Sequence, residues 1–135
     1  MNENFTVGDA VYAASHAVVG LGRLRILTRD GTVMIIGEEL AVLAPGDEPV
    51  QDRILLVARV DDIEVLGRPW HSMGQAVNLR VDGQLWLIQP ESVAQGTGMA
   101  TPRKMRRARE AAIALEAALV DTQRALRERV PAPSH

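Results

Sequence analysis

Short runs rich in apolar residues, two of which (23–28 and 77–82) alternate apolar with polar positions, recur in the first 100 positions of the chain, and turn-forming residues separate them. Alternation is typical of β-strands that bury one face, and short apolar runs between turns are also consistent with strands. The runs lie at residues 10–19, 23–28, 32–36, 39–43, 53–60, 63–66, 77–82 and 84–89. Two pairs, Asp30-Gly31 and Asp82-Gly83, tolerate the positive φ angles of a tight turn, so we expect a hairpin at each. About seven antiparallel strands joined by short turns favour a bent barrel or sandwich.

The pattern changes after residue 100, where glycine is absent and alanine, leucine and arginine dominate up to Val130. Thr101 can cap a helix, and Pro102 suits its first turn because proline lacks an N–H that would have no partner there. Apolar residues then recur every three or four positions, which predicts an amphipathic helix of roughly 40 Å over residues 102–130. The stripe consists of Met105, Ala108, Ala112, Leu115, Leu119, Thr122 and Leu126, widened by Ile113 and Val120.

These two patterns divide a single domain of 135 residues into parts. Residues 1–100 form the β part, residues 101–130 form a capping helix, and residues 131–135 form a disordered tail. Since the helix is longer than a small β unit usually covers, part of its apolar stripe remains for another molecule. We expect Leu115, Leu119, Val120 and Leu126 to bind a protein partner or a second copy of the chain.

Charge is distributed unevenly between the two parts. Residues 1–100 carry seven arginines and thirteen acids, whereas residues 101–135 carry eight basic and four acidic residues, so charges of −6 and +4 sum to the net −2. The basic residues at the start of the helix are Arg103, Lys104, Arg106, Arg107 and Arg109. Because the helix dipole already makes this end positive, an anion should lie nearby. It is either an acidic group of the β part or the phosphate of an anionic lipid or nucleic acid.

Two observations narrow the class of protein. The chain contains no cysteine, which excludes disulfides, thiolate metal sites and a cysteine nucleophile. No stretch approaches the roughly 18 apolar residues that span a bilayer, and residues 1–9 lack the pattern of a secretory signal. We therefore expect a cytoplasmic protein without a transmembrane segment. The net negative charge and the lack of aromatic residues among the basic ones disfavour nucleic acid as a partner.

Side chains capable of catalysis are few and isolated. His16 and His71 each adjoin a serine, but neither lies in a frame typical of a hydrolase. The glycines at positions 20 and 22 lack the third glycine of a dinucleotide-binding loop. We expect no catalytic residue and no cofactor, so the chain is predicted not to be an enzyme.

The best candidate for a metal site in the sequence is the acidic cluster Asp61, Asp62 and Glu64. A hard cation requires more oxygen ligands than these three residues supply. We expect a solvated acidic face and no bound metal. Trp86 lies in an apolar run and is predicted to be in the core. Trp70, which precedes His71 in a loop, is either a lid over the barrel or an exposed contact residue.

Three stretches resemble the bacterial pleckstrin-homology-like (PH-like) domains, which are related to GRAM domains. Residues 22–28, GRLRILT, and residues 60–65, VDDIEV, are similar to strand motifs of that family, and residues 77–87 resemble its final hairpin. The resemblance covers roughly residues 8–120 and implies a bent antiparallel barrel plugged at one end by the C-terminal helix. It also implies a protein-interaction or ring-forming module, because the region between the first strands offers only Arg23 and Arg25 for inositol phosphates.

A second similarity is limited to the start of the chain, where residues 5–12 and His16 look like the opening of small Tudor-like polymerase-binding domains. It ends by about residue 20. Taken together, the sequence predicts a non-enzymatic interaction module that self-associates or binds a protein through its helix. The alternative is peripheral binding to an anionic membrane or nucleic acid through residues 103–109.

Overall fold

The computed structural model describes residues 10–22, 25–92 and 101–129, and shows a β-sheet followed by one long helix. The elements are β1 (Ala10–Leu21), β2 (Arg25–Ile36), β3 (Glu39–Leu43), α1 (Val50–Arg53), β4 (Ile54–Arg59), β5 (Glu64–Gly67), β6 (Val77–Val81), β7 (Gln84–Gln89) and α2 (Pro102–Arg129). The predicted fold class, mainly β with a C-terminal helix, is therefore confirmed. The predicted tail at residues 131–135 lies outside the described ranges.

The seven strands form one antiparallel sheet in the order β4-β3-β2-β1-β7-β6-β5. The sheet does not close, because β4 and β5 are its two edges and do not pair with each other. A short 3₁₀ turn, Val60–Asp62, connects these edges. The long strand β1 lies at the centre of the order, yet its ladder to β7 extends only from Val18 to Leu21.

The hairpin predicted at Asp30-Gly31 is wrong. β2 continues through this pair, and the chain reverses between β1 and β2 near Gly22, whose φ is 65°. Asp30 has the positive φ that the sequence suggested, 55°. The pairing of β2 with β1 shifts register at this point, as in a β-bulge, so the Asp-Gly pair bends the strand and does not end it. The second pair does form the predicted turn, between β6 and β7, with φ of 51° at Asp82 and 78° at Gly83.

Helix α2 begins as predicted, because the main-chain N–H of Lys104 donates to the hydroxyl of Thr101 at 3.2 Å. The helix lies across the open side of the sheet, where it contacts the 3₁₀ turn, β5, β6 and β1. Its inward face is buried and consists of Ala108, Ala112, Leu115, Leu119 and Leu126. Each fully buried leucine contributes about 1.5–3 kcal/mol to folding. No described helix is long and apolar enough to cross a membrane.

The core lies between the concave sheet and α2. Strand residues Val33, Ile35, Leu40, Leu79 and Ile88 are fully buried there with the helix leucines. Trp86 is also buried, as predicted, and its ring N–H has no hydrogen-bond acceptor among the described residues. The helix is thus part of the core and completes the fold that the open sheet leaves unfinished.

Candidate functional site

The helix face predicted to bind a partner is largely used by the fold itself. Leu115, Leu119 and Leu126 are buried against the chain's own sheet, and Val120 is half-buried. The reason is the open sheet: α2 spans the gap between its edges, so the apolar stripe is covered as far as Leu126. A partner that meets this conformation would therefore contact a flank of α2 and not this stripe.

An apolar groove of about 590 Å³ follows one flank of α2 beside the first residues of β1. We name it the β1–α2 groove. Its lining is Val11, Tyr12, Gly37, Ala114, Ala117, Ala118, Asp121, Thr122, Ala125, Leu126 and Arg129. Val11 is 67% exposed although it is apolar. The groove exists because the helix side chains on this flank are mostly alanine and leave space that larger residues would fill.

The edge of β1 beside this groove is incompletely paired. In the part of the chain that the structure describes, residues 10–17 make their strand ladder with β2 alone, apart from a bridge between His16 and Glu91. A second cavity of about 290 Å³ lies along this edge and is bounded by Tyr12, His16 and Ala111 among others. The two cavities meet at Tyr12.

Tyr12 connects the strand to the helix. Its hydroxyl donates to the main-chain carbonyl oxygen of Ala111 at 3.4 Å. Burial, and secondarily the nearby carboxylate of Glu91, raises the pKa of Tyr12 to about 12. The phenol is therefore neutral at physiological pH, and the wall it forms between the two cavities is largely apolar.

The basic cluster at the start of α2 is only partly neutralised by the β part. Arg107 pairs with Glu91, with a nitrogen–oxygen distance of 3.2 Å. The other four basic side chains form no ion pair with any carboxylate of the described residues. These four are Arg103, Lys104, Arg106 and Arg109. The predicted acidic neighbour is thus present for one side chain of five.

The loop that follows β5 exposes its apolar residues. Trp70 begins a 3₁₀ turn, Trp70–Ser72, and is 87% exposed, while Met73 is 58% exposed. The ring of His71 meets that of Trp70 edge-on, with centroids 6.3 Å apart. Of the two roles predicted for Trp70, the exposed one agrees with this geometry and the lid does not.

Two of the acidic residues after β4, Asp61 and Glu64, form ion pairs with different arginines. Asp61 receives two hydrogen bonds from Arg59, which hold the pKa of its carboxyl below the usual range. Glu64 pairs with Arg80 across the sheet at 3.1 Å. No group of three potential metal ligands occurs among the described residues.

Glu38, in the turn between β2 and β3, joins two distant cations. One of its carboxylate oxygens accepts from Arg59 at 2.9 Å and the other from Arg129 at 2.7 Å. The last turn of α2 is thereby tied to the turn beside the β1–α2 groove. The charge asymmetry of the sequence is thus partly satisfied inside one chain, although exposed pairs of this kind contribute little stability each.

The sequence singles out the basic cluster and Trp70, for which it leaves a lid and an exposed contact as alternatives, but it does not reveal the groove. The alanines of α2 outside the apolar stripe do not predict a groove, because a small side chain gives no hydrophobic signal of its own. The available signal was that four of them, at positions 114, 117, 118 and 125, lie beside the leucine stripe and not within it. Neither a protein-family model nor a curated protein matches the sequence.

Proposed function

We propose that this chain is a non-enzymatic interaction module that binds an extended segment of a partner protein in the β1–α2 groove. One observation carries the proposal: the apolar groove along α2 adjoins the incompletely paired edge of β1 at Val11 and Tyr12. The main-chain groups of a strand edge recognise another extended backbone, and the groove accommodates its side chains.

Hydrogen bonding favours an extended occupant over a helical one. Along residues 10–15 the backbone groups that face away from β2 have no ladder partner among the described residues. A helix cannot supply partners, because its own N–H and C=O groups are bonded internally. A strand added to this edge would supply them in register.

The shape and chemistry of the groove also fit side chains of moderate size. Val11 on one wall and Ala114 and Ala117 on the other are exposed, so an apolar side chain placed between them would cover surface that now faces water. Asp121 and Arg129 lie at the rim, where polar residues usually set specificity. The PH-like resemblance supports the same class of function, since bacterial members of that family often act as interaction modules.

The test uses the whole chain as bait for a displayed library of random peptides about ten residues long, the upper length of an ordinary strand. We expect the recovered peptides to alternate apolar and polar residues. Ala114→Arg should abolish their binding because the new side chain fills the groove at an exposed position. Glu128→Arg, an equally exposed change on the same helix outside the groove lining, should bind them normally.

Hydrogen exchange distinguishes strand addition from other modes of binding. A bound peptide should slow exchange of amides between Val11 and Ser15, with little change in β5 or β6. Recovery of peptides that bind Ala114→Arg equally well, or that leave β1 exchange unaltered, would contradict the proposal. If light scattering shows a dimer that Ala114→Arg dissociates, the partner is a second copy of the chain.

A further inference from the structure

A second surface, on the other flank of α2, combines exposed apolar side chains with unpaired cations. It consists of Trp70, Met73, Arg106, Arg109 and Ile113, and we name it the loop–helix surface. Trp70 is 87% exposed, Met73 58% and Ile113 46%, which makes this one of the few places where large apolar groups face water together. Such a concentration marks an interaction site more often than single exposed residues do.

Contacts between the loop and α2 show that these residues form one surface. A Cβ atom placed on Gly74 would lie 3.5 Å from Cδ of Arg109, so the loop backbone packs against that arginine. Arg68 bonds to Glu116 at 3.3 Å and to the carbonyl oxygen of Gly74 at 3.4 Å. Ile113 lies four residues after Arg109 and three before Glu116, hence on the same side of the helix.

The loop is held in the conformation that exposes Trp70. The hydroxyl and the amide of Ser72 both bond to the carbonyl oxygen of Pro69, at 2.7 and 3.0 Å. The amide of Met73 donates to the carbonyl oxygen of Trp70, and that of Gln75 to Ser72, each at 3.0 Å. The apolar side chains are thus presented in a fixed geometry, which lowers the entropic cost of binding.

The charge beside the loop is positive. Arg106 and Arg109 are three residues apart on α2 and form no ion pair with a described carboxylate. The same is true of Arg103 and Lys104, which precede them. The net charge of the chain is −2, but screening limits the influence of distant acids to about 8 Å at physiological salt. A flat anionic partner would therefore meet a locally positive surface.

We propose that the loop–helix surface docks onto a phospholipid bilayer that contains anionic lipid. Trp70 and Met73 enter the headgroup region, where tryptophan is favoured because its ring is apolar and its N–H is polar. Arg106 and Arg109 contact lipid phosphates at the same depth. The edge-on contact of Trp70 with His71 leaves no stack of aromatic rings for bases, which disfavours single-stranded nucleic acid.

The experiment measures partition of the whole chain onto vesicles of phosphatidylcholine with about 30% phosphatidylserine, and onto phosphatidylcholine alone. Trp86→Phe provides the background, because it leaves Trp70 as the only tryptophan and so the only source of the fluorescence signal. We expect binding to the anionic vesicles with a blue shift of Trp70 emission, weakened as salt rises from about 50 to about 300 mM.

Variants separate the apolar from the electrostatic part. Trp70→Ala in the unmodified chain should lower the partition coefficient about tenfold if roughly a third of the ring leaves water. Arg106→Gln and Arg109→Gln should each lower it about fivefold. Arg127→Gln, a matched exposed arginine in the last turn of α2, and Ile26→Ala, an exposed apolar change on β2, should change it less than about twofold.

Three results would overturn the proposal. One is the absence of sedimentation with anionic vesicles at low salt. Another is binding that Trp70→Ala and the two arginine variants leave unchanged while Arg127→Gln reduces it. The third is salt-dependent binding of a DNA duplex by the same arginines without any vesicle binding, which would assign the cations to nucleic acid. None of these outcomes depends on whether the β1–α2 groove binds a peptide.

Discussion

The side-chain amide of Gln123 donates a hydrogen bond of 2.7 Å to the main-chain carbonyl oxygen of Ile63 and another of 3.1 Å to that of Val60. Both acceptors belong to the connection between β4 and β5, the two edges of the sheet. Val60 and Ile63 are buried, and no strand ladder continues through this connection. The helix therefore supplies hydrogen-bond donors to the connection that joins the two edge strands of the sheet.

Gln123→Ala should lower the free energy of unfolding by about 1–3 kcal/mol, because it removes both hydrogen bonds and leaves the N–H of Ile63 as the remaining donor to the carbonyl oxygen of Val60. Urea denaturation monitored by far-ultraviolet circular dichroism gives this value. Arg124→Ala is the control: Arg124 is exposed and, among the described carboxylates, pairs with Asp121 alone, so its loss should cost less than about 0.5 kcal/mol. Equal effects of the two variants would mean that the Gln123 bonds do not stabilise the fold.

Removal of the second half of α2 should unfold the domain. Deletion of residues 118–135 takes Leu119 and Leu126 out of the core, so we expect loss of cooperative thermal unfolding and not a folded monomer. The single change Leu119→Ala should cost about 2–5 kcal/mol, because the cavity it leaves is fully enclosed. Arg127→Ala, exposed on the same helix, should be nearly neutral. A truncated chain that still melts cooperatively would show that the sheet folds without its helix.

Local signals predicted much of the fold correctly. β3 (Glu39–Leu43) and β7 (Gln84–Gln89) have the predicted bounds, and the Thr101 cap starts α2 at Pro102. Each of these depends on neighbours in sequence: alternation, a turn residue or a capping hydroxyl. The openness of the sheet could not be predicted in the same way, because it depends on whether β4 and β5 reach each other, and sequence periodicity carries no information on that distance.

The error at Asp30-Gly31 has a tertiary cause. A Cβ on Gly31 would lie 2.9 Å from Cγ2 of Thr28 and 3.0 Å from the carbonyl oxygen of Leu43, so this glycine allows strands to approach closely. In sequence, a glycine required by packing looks the same as one required by a turn. The Asp-Gly pair therefore predicted the positive φ correctly, but the hairpin turn that it predicted does not form there.

Gly31→Ala should destabilise the domain by about 1–3 kcal/mol, since the backbone of β3 cannot easily move away from the added methyl group. Thr28→Ser removes the methyl nearest to that position and should recover part of the loss when the two changes are combined. A double-mutant cycle of unfolding free energies measures the recovery. A neutral Gly31→Ala would indicate that the close approach to Leu43 is not required.

The candidate surfaces were predictable to different degrees. Trp70 is one of only two tryptophans and lies in a predicted loop, but the sequence leaves open whether it covers the barrel or contacts a partner, and the structure exposes it. The basic cluster was equally visible, but its position beside Met73 and Ile113 depends on how the loop after β5 packs on α2. The β1–α2 groove was not predictable, because it is the space left beside the small alanine side chains of α2 and no sequence pattern reports empty space.

Tyr12 offers a direct test of the packing between β1 and α2. Its pKa is raised to about 12 in the folded chain, above the value near 10 of an exposed phenol, because burial and Glu91 disfavour the anion. The neutral form is thus favoured by folding. The resulting stabilisation is complete below about pH 10 and is lost as the pH rises from about 10 to about 12.

Since Tyr12 is the only tyrosine, the absorbance of tyrosinate reports on it alone. We expect a titration midpoint near 12 in the folded chain and near 10 in urea. Relative to Tyr12→Phe, the unfolding free energy should decline over that interval by on the order of 1 kcal/mol, a discounted value because the ring is only partly buried. A folded midpoint near 10 would mean that the phenol is open to water, and that α2 does not close over β1 at Ala111.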